Sequence, residues 1–342
     1  MTLQLTPTLH DVAAAAGVST ATVSRCLNFP DKVAPATREK VSEAIAQLGY
    51  SPNFGAKVMA ARRTRTIGAI IPTMENAIFA RGLQAFQEEL RLHGYTMLVA
   101  TSSYDPAREA EQVRALIARG ADGLLMIGHA RDAETDKFIA TQGVPALVTW
   151  AYAPGQTHPS VGFDNAAAMR AMARTVLDEG HTKLGFITAK TENNDRATAR
   201  LAGINDAIKA AGLPATTLTV IETHYTIDEG AVAFRRLMSM TDHPTAVLCG
   251  NDVLAVGALR AAHEMKVAIP QDVSIVGFDD IELAQVATPP LTTVHVPHRE
   301  MGQIAARTLI AMLEDGAKPV SIALDTTIIR RGTLGPVRQK HV

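Results

Sequence analysis

At 342 residues the chain is long enough for two or three domains with sizeable buried cores. Its 47% hydrophobic and 20% charged content is that of an ordinary globular protein, and no apolar run approaches the roughly 18 residues needed to span a bilayer, which argues against a membrane protein. The net charge of −1 hides an asymmetry: residues 1–65 carry eight Lys/Arg against four acids, or +4, and the remainder carries −5, so a basic head suited to a polyanion precedes an acidic body.

The opening "MTLQLTPTLHDV" lacks a basic start followed by an apolar stretch, so no secretory signal is expected. Cys26 and Cys249 lie far apart on apolar faces and read as reduced, buried thiols of a cytoplasmic protein.

In chain order, "TLHD" at 8–11 is a capping-box pattern with Thr8 as N-cap. The helix it opens points Val12, Ala13 and Ala16 inward and stops at Gly17. Ser19 caps a second helix with Val23, Cys26 and Leu27 on one side. Its other side, Thr20, Ala21, Ser24 and Arg25, is short and free of acids. Pro35 occupies the first position of a third helix running to Gly49.

The spacing Ala13-x3-Gly17-x5-Val23 has a mechanical reason. A small residue lets two helices cross closely, glycine makes the turn, and valine packs the second helix on the first. That is the helix-turn-helix pattern, whose second helix enters the DNA major groove. Thr20, Ala21, Ser24 and Arg25 then face base edges. Arg25 can grip guanine O6 and N7 together, worth roughly 1–3 kcal/mol of discrimination. His10, Ser19, Asn28 and Thr37 are candidate phosphate contacts, which set register without reading sequence.

Residues 51–66 read as a linker with a marginal short helix from about Asn53 to Ala61. From Thr66 the pattern becomes strand–helix alternation. The runs "IGAII", "TMLVA", "GLLMI" and "PALVTW" alternate with helices at 77–93, 106–119 and 132–142. A second set, "SVGF", "KLGFIT", "TLTVI", "TAVLCG" and "VSIVGF", starts near residue 160. Short apolar strands each followed by a helix imply parallel sheets with right-handed crossovers. Two sets imply two doubly wound lobes, with a ligand cleft at the carboxyl ends of the strands. The sequence holds no GxSxG elbow, Walker loop, HExxH or clustered Cys/His, and "GADGLLMIG" lacks the GxGxxG phosphate turn. No enzyme activity, cofactor or metal is expected.

The motifs "TLHDVAAAAGVSTATVSRCLN", "VAPATREKVSEAIAQLGYSPN", "RTRTIGAIIP", "HPTAVLCGNDVLAVGAL", "DVSIVGFDD" and "PPLTTVHVPHREMG" occur in the order found in the lactose/galactose-repressor (LacI/GalR) family. The chain resembles that family over nearly its whole length, and within it looks most like the gluconate-type repressors. The resemblance implies an N-terminal all-α helix-turn-helix domain at 1–52 and a hinge at 53–65. It implies a periplasmic-binding-protein-like α/β core at 66–338, with an N-lobe of about 66–163 and 297–324 and a C-lobe of about 164–296 and 325–338.

It further implies a homodimer on a pseudo-palindromic operator, because the C-terminus lacks the leucine heptad of tetrameric relatives. The hinge, opened by Asn53, would fold on DNA with Lys57 and Ala60 beside the minor groove. Met59 stands where the family places a wedging leucine.

For the effector, the resemblance implies Arg200 as a grip on hydroxyls or carboxylates, and Asn251 and Asp279 as acceptors. Tyr225 matches a stacking aromatic, and Asn76 and Phe79 match first-loop pocket positions. Arg196, one helical turn before Arg200, invites an anion between two guanidiniums. Trp150 replaces an acid of the lactose repressor, and His298 could donate to the same anion. A sugar acid such as gluconate is therefore the expected effector. A transporter's solute-binding protein shares the bilobal fold and is the alternative, but it would carry a signal sequence and no basic head. A phosphoprotein coregulator, as in catabolite-control relatives, is a further variation.

Overall fold

The computed structural model describes residues 7–51, 63–75 and 77–338, which divide into two units between Thr64 and Arg65. The first unit is three helices: α1 (Leu9–Ala16), α2 (Thr20–Asn28) and α3 (Pro35–Leu48). Their ends are fixed by the residues that the sequence marks. Thr8 and Asp11 close a reciprocal capping box on α1, and Gly17 ends it in the left-handed region at φ 64°. Ser19 Oγ caps α2 by accepting from the Thr22 N–H at 3.2 Å. Val12, Ala13, Val23, Cys26, Val41 and Ala44 form the core of this unit, with Leu27 packed on it.

The second unit runs β1 (Thr66–Ile71), α4 (Ala80–Leu92), β2 (Thr96–Thr101), α5 (Pro106–Ala118), β3 (Gly123–Ile127), α6 (Ala133–Gln142), β4 (Ala146–Thr149) and β5 (Ser160–Gly162). It continues through α7 (Asn165–Asp178), β6 (Leu184–Ala189), α8 (Asp195–Ala210), β7 (Leu218–Thr223), α9 (Ile227–Met238), β8 (Ala246–Cys249), α10 (Asp252–Glu264), β9 (Ser274–Asp279) and α11 (Glu282–Val286). It closes with β10 (Thr292–His295), α12 (His298–Glu314), β11 (Ile322–Ala323) and β12 (Thr327–Ile329).

Two six-stranded sheets result, ordered β11-β5-β4-β3-β1-β2 and β12-β10-β9-β8-β6-β7. All pairings are parallel except β10 with β12. The central strands β1, β3, β4, β6, β8 and β9 are buried along their whole length, as strands covered by helices on both faces must be. The edge strands β2 and β7 are partly open.

The expected two-lobed α/β architecture is present, with one correction to its strand assignment. "SVGF" is β5 and belongs to the first sheet, where Thr149 pairs with Val161. The chain changes lobe after this strand, because the following helix α7 packs on α8, β10 and β12 of the second lobe. It crosses twice more, between β10 and α12 and between β11 and β12. The short strands β10, β11 and β12 are absent from the expected runs.

In the first lobe α4 and α12 cross at Gly82 and Gly302. A Cβ at Gly302 would lie 2.1 Å from the Gly82 carbonyl oxygen, so only glycine permits this crossing. A Cβ on Gly82 would strike the Trp150 ring at 2.5 Å, so the same contact makes room for Trp150. Among the described residues no helix is long and apolar enough to cross a membrane.

Candidate functional site

In the first unit α2 presents Thr20, Ala21 and Arg25 to solvent, while Ser24 is half-buried. His10 is exposed near the start of α1, and Thr37 is half-buried in the first turn of α3. Ser19 Oγ is committed to the cap of α2 and to Thr22 Oγ1 at 2.9 Å. Asn28 is the last residue of α2, and its side chain lies outside the described residues, as do Asn53, Lys57, Met59, Ala60 and Asn76. Asp11, the acid of α1, is already engaged: the Thr8 hydroxyl and N–H donate to it and hold its carboxyl below the usual range. The surface of α2 therefore offers short polar groups and one guanidinium.

In the second unit the carboxyl ends of both sheets face one cleft. At its inner end Ile78, Phe79, Tyr104, Trp150, Arg196, Arg200, Tyr225, Asn251 and Asp279 enclose a chamber of about 20 Å³, room for about one water molecule. Seven residues expected at the effector site, Phe79, Trp150, Arg196, Arg200, Tyr225, Asn251 and Asp279, thus come together from distant parts of the chain. Phe79 meets the Trp150 ring edge-on at 5.2 Å.

Arg200 is buried and tightly held. Its Nε donates to Asn165 Oδ1 at 2.9 Å, its Nη1 donates to the Gly250 carbonyl, and its guanidinium stacks 3.8 Å from the Phe278 ring centre. Asn165 also donates to the Trp150 carbonyl at 2.9 Å, tying Arg200 to the wall opposite.

Asp279 sits 4.0 Å from Arg200 Nη2, and neither carboxylate oxygen has a hydrogen-bond partner among the described residues. Burial pushes its carboxyl up to about 7, although Arg200 and Arg196 pull the other way. Its backbone is strained, with φ 104° for a non-glycine residue, followed by Asp280 at φ 53°. Two neighbours clamp this turn. Asp252 accepts from the Ile281 N–H at 2.8 Å and the Thr293 hydroxyl at 2.6 Å. Asp280 bonds His295 Nδ1 at 2.9 Å and Arg331 Nη2 at 2.7 Å.

Two of the expected roles change on this geometry. Asn251 is not the acceptor its position suggests: its Oδ1 is spent capping α10 on the Leu254 N–H at 2.9 Å, so it offers its unpartnered Nδ2, a donor. His298 is not a donor to an anion. It is buried, and its Nε2 lies 3.1 Å from the Asp279 carbonyl oxygen, which can only accept. Burial pushes its pKa down to about 4, so the ring is neutral, its proton sits on Nε2, and Nδ1 is left as an acceptor. It packs beside Trp150 at 5.9 Å and does not line the chamber.

Arg196 departs from a free guanidinium. Its Nη1 donates to the Ile127 carbonyl and to Asp195 Oδ1, both at 3.1 Å, while Asp195 Oδ2 accepts from the His129 N–H at 2.6 Å. The start of α8 in the second lobe is thereby fastened to the end of β3 in the first. Arg81 and Glu282 form a second bond between lobes at 2.9 Å.

Sequence reasoning misses Tyr104, Asn165, Asp195, Asp252 and Asp280. Tyr104 carries no periodic signal because it lies in the turn after β2 at φ 60°. The paired acids of "GFDD" are visible, but only packing shows that Asp280 supports the loop and Asp279 faces the chamber.

A helix-turn-helix unit on a two-lobed parallel-sheet core is the build of a DNA-binding transcription regulator. Comparison with known proteins agrees. Residues 8–53 match the model described as bacterial regulatory proteins, lacI family, and residues 173–334 match a periplasmic binding protein-like domain. The ribose operon repressor of Haemophilus influenzae is 30% identical over 96% of this chain and 98% of its own length. A LacI-family transcriptional regulator from Silicibacter pomeroyi superposes with a TM-score of 0.87 at 26% identity, covering 96% of this chain and 99% of that one. The lac repressor dimer bound to operator and the anti-inducer ONPF superposes with a TM-score of 0.82 at 27% identity and the same coverage. The chain belongs to the LacI family of bacterial regulatory proteins.

Proposed function

We propose that this regulator is a cytoplasmic transcriptional repressor that binds a pseudo-palindromic operator as a homodimer and is controlled by a small carbohydrate-type effector between its lobes. Residues 1–52 read DNA through Thr20, Ala21, Ser24 and Arg25 of α2, with His10, Ser19, Asn28 and Thr37 on phosphates. Residues 53–65 are the hinge, with Asn53, Lys57, Met59 and Ala60 at the minor groove, and 66–338 form the effector and dimerisation core. A relative that represses a ribose operon and a neighbour bound to operator as a dimer support this reading.

One observation carries the effector. The two oxygens of Asp279, Asn251 Nδ2 and Trp150 Nε1 are buried polar atoms without partners among the described residues, and all four belong to residues lining the same chamber. Leaving such groups unmet costs on the order of 1–3 kcal/mol each. Hydroxyl groups, which donate and accept at once, answer acceptor and donor together. The guanidiniums of Arg196 and Arg200 in the same wall as Phe79 favour an effector that also bears a carboxylate, a sugar acid such as gluconate, and Asn76, outside the described residues, is assigned to this pocket by the family resemblance alone. The effector acts by changing lobe closure and hence the spacing of the paired hinges.

The test is selection of the purified protein on random duplexes, followed by titration of the selected operator complex with gluconate and with glucose. Arg25→Ala should weaken the selected site by about fivefold or more and relax one base position. The absence of any salt-sensitive preference for a palindrome would end the DNA reading, and binding of glucose alone would remove the sugar acid.

A further inference from the structure

At about 20 Å³ the inner chamber takes a sugar unit only once the lobes part, and it is not the end of the cleft. A second chamber of about 470 Å³ lies outside it, within the roughly 300–1,000 Å³ typical of ligand sites. Tyr104 of the first lobe and Tyr225 of the second line both chambers and stand between them, with ring centres 5.8 Å apart and planes tilted by 54°. Beyond this aromatic pair the wall is polar and drawn from both lobes. Thr73, Glu75 and Ser103 come from the first, and Lys190, Glu192 and His224 from the second.

The charged side chains here are uncommitted. Glu75, Lys190, Glu192 and His224 make no side-chain hydrogen bond or ion pair among the described residues. The inner chamber, by contrast, has its arginines clasped by carbonyls and carboxylates.

We propose that the outer chamber is a second sugar subsite, so that the effector is a two-unit saccharide whose outer ring packs on Tyr104 and Tyr225 and is held by Lys190 and Glu192. The inference rests on the reading that the cleft takes a carbohydrate effector. Three features carry it: volume where the inner chamber has none, an aromatic face at the passage, and free donors and acceptors around it. Apolar ring faces of a sugar suit aromatic rings, and its equatorial hydroxyls suit a rim that holds both a carboxylate and an ammonium. A single ring drawn to the inner polar groups would leave this rim untouched.

Calorimetry on the full chain with gluconate and glucose, with maltobionate and cellobionate (open-chain gluconate bearing a glucose ring), and with maltose and cellobiose tests the proposal. One of the two-unit ligands should bind at least about tenfold tighter than its one-unit counterpart, the worth of one or two added hydrogen bonds. In a Lys190→Ala, Glu192→Gln double variant that advantage should narrow to about twofold. Both substitutions are at exposed positions, so the fold has no reason to fail, and a thermal melt checks it. Gluconate or glucose binding as tightly as every two-unit ligand overturns the outer subsite and leaves the carbohydrate reading standing. An advantage that survives in the double variant also overturns it. If no saccharide binds while operator binding is intact, the carbohydrate reading itself fails and this inference with it.

Discussion

Asp279 holds a proton near neutrality because burial outweighs two guanidiniums. A ligand hydroxyl that donates to its carboxylate favours the charged form, so binding should expel that proton. Effector affinity is therefore expected to rise with pH through about 7, with proton release visible as a dependence of calorimetric heat on buffer ionisation. Asp279→Asn should flatten the profile. For stability the sign is opposite. A carboxyl whose folded pKa exceeds its unfolded value of 3.8 stabilises the fold in acid and loses that contribution as pH climbs to about 7.

At this scale the sequence names most of the chamber but not the direction of its hydrogen bonds. Asn251 lines the chamber and His298 stands behind its wall, and which atoms they offer depends on the helix cap and the carbonyl that use up their other ends. Tyr104 is illegible because a turn residue announces itself by neither period nor charge.

Helix ends are the most readable elements. Thr8, Ser19, Gly17 and Pro35 stop and start α1 to α3 by local hydrogen bonds and backbone geometry that the residue types alone dictate. Continuous apolar runs mark the central strands for the same reason, since each is covered on both faces. The apolar runs alone misplace strand β5, because lobe membership is a property of neighbours and the position of α7 after it fixes the crossing, whereas the lobe bounds implied by the family resemblance, about 66–163, keep it in the first lobe. β10, β11 and β12, of two to four residues each, are too short to show any period.

The contact between α4 and α12 at Gly82 and Gly302 leads to a prediction at this scale. Gly302→Ala should cost about 1–3 kcal/mol or more, because a methyl 2.1 Å from a carbonyl oxygen forces two helices apart. Thermal unfolding of the variant measures it, and an unchanged midpoint would mean that the helices yield freely.

For the whole molecule, what matters is how the lobes are held and what covers their edges. Asp195 and Arg196 fasten one side of the cleft, and Arg81 with Glu282 the other. Removing these bonds in an Asp195→Ala, Arg196→Ala, Glu282→Ala variant should open the unliganded chain, seen as a larger radius of gyration in solution scattering; no change would assign closure to packing alone. The edge strands β2 and β7 lie at corresponding ends of the two sheets and expose Leu98 and Val220. A second copy seated there would cover both, so Leu98→Lys with Val220→Lys should sediment as a monomer if these edges form the proposed dimer.

The chain's sole tryptophan, Trp150, lies between Phe79 and His298 at the innermost wall of the cleft. Indole emission from the entire polypeptide therefore originates at one spot, and its colour and brightness report the dielectric surroundings of that spot alone. Adding operator in the absence of any sugar then asks a sharp optical question: if occupancy of α2 alters the light from Trp150, the two remote places are thermodynamically linked, and reciprocity requires that whatever fills the cleft tune the grip on DNA by the same factor.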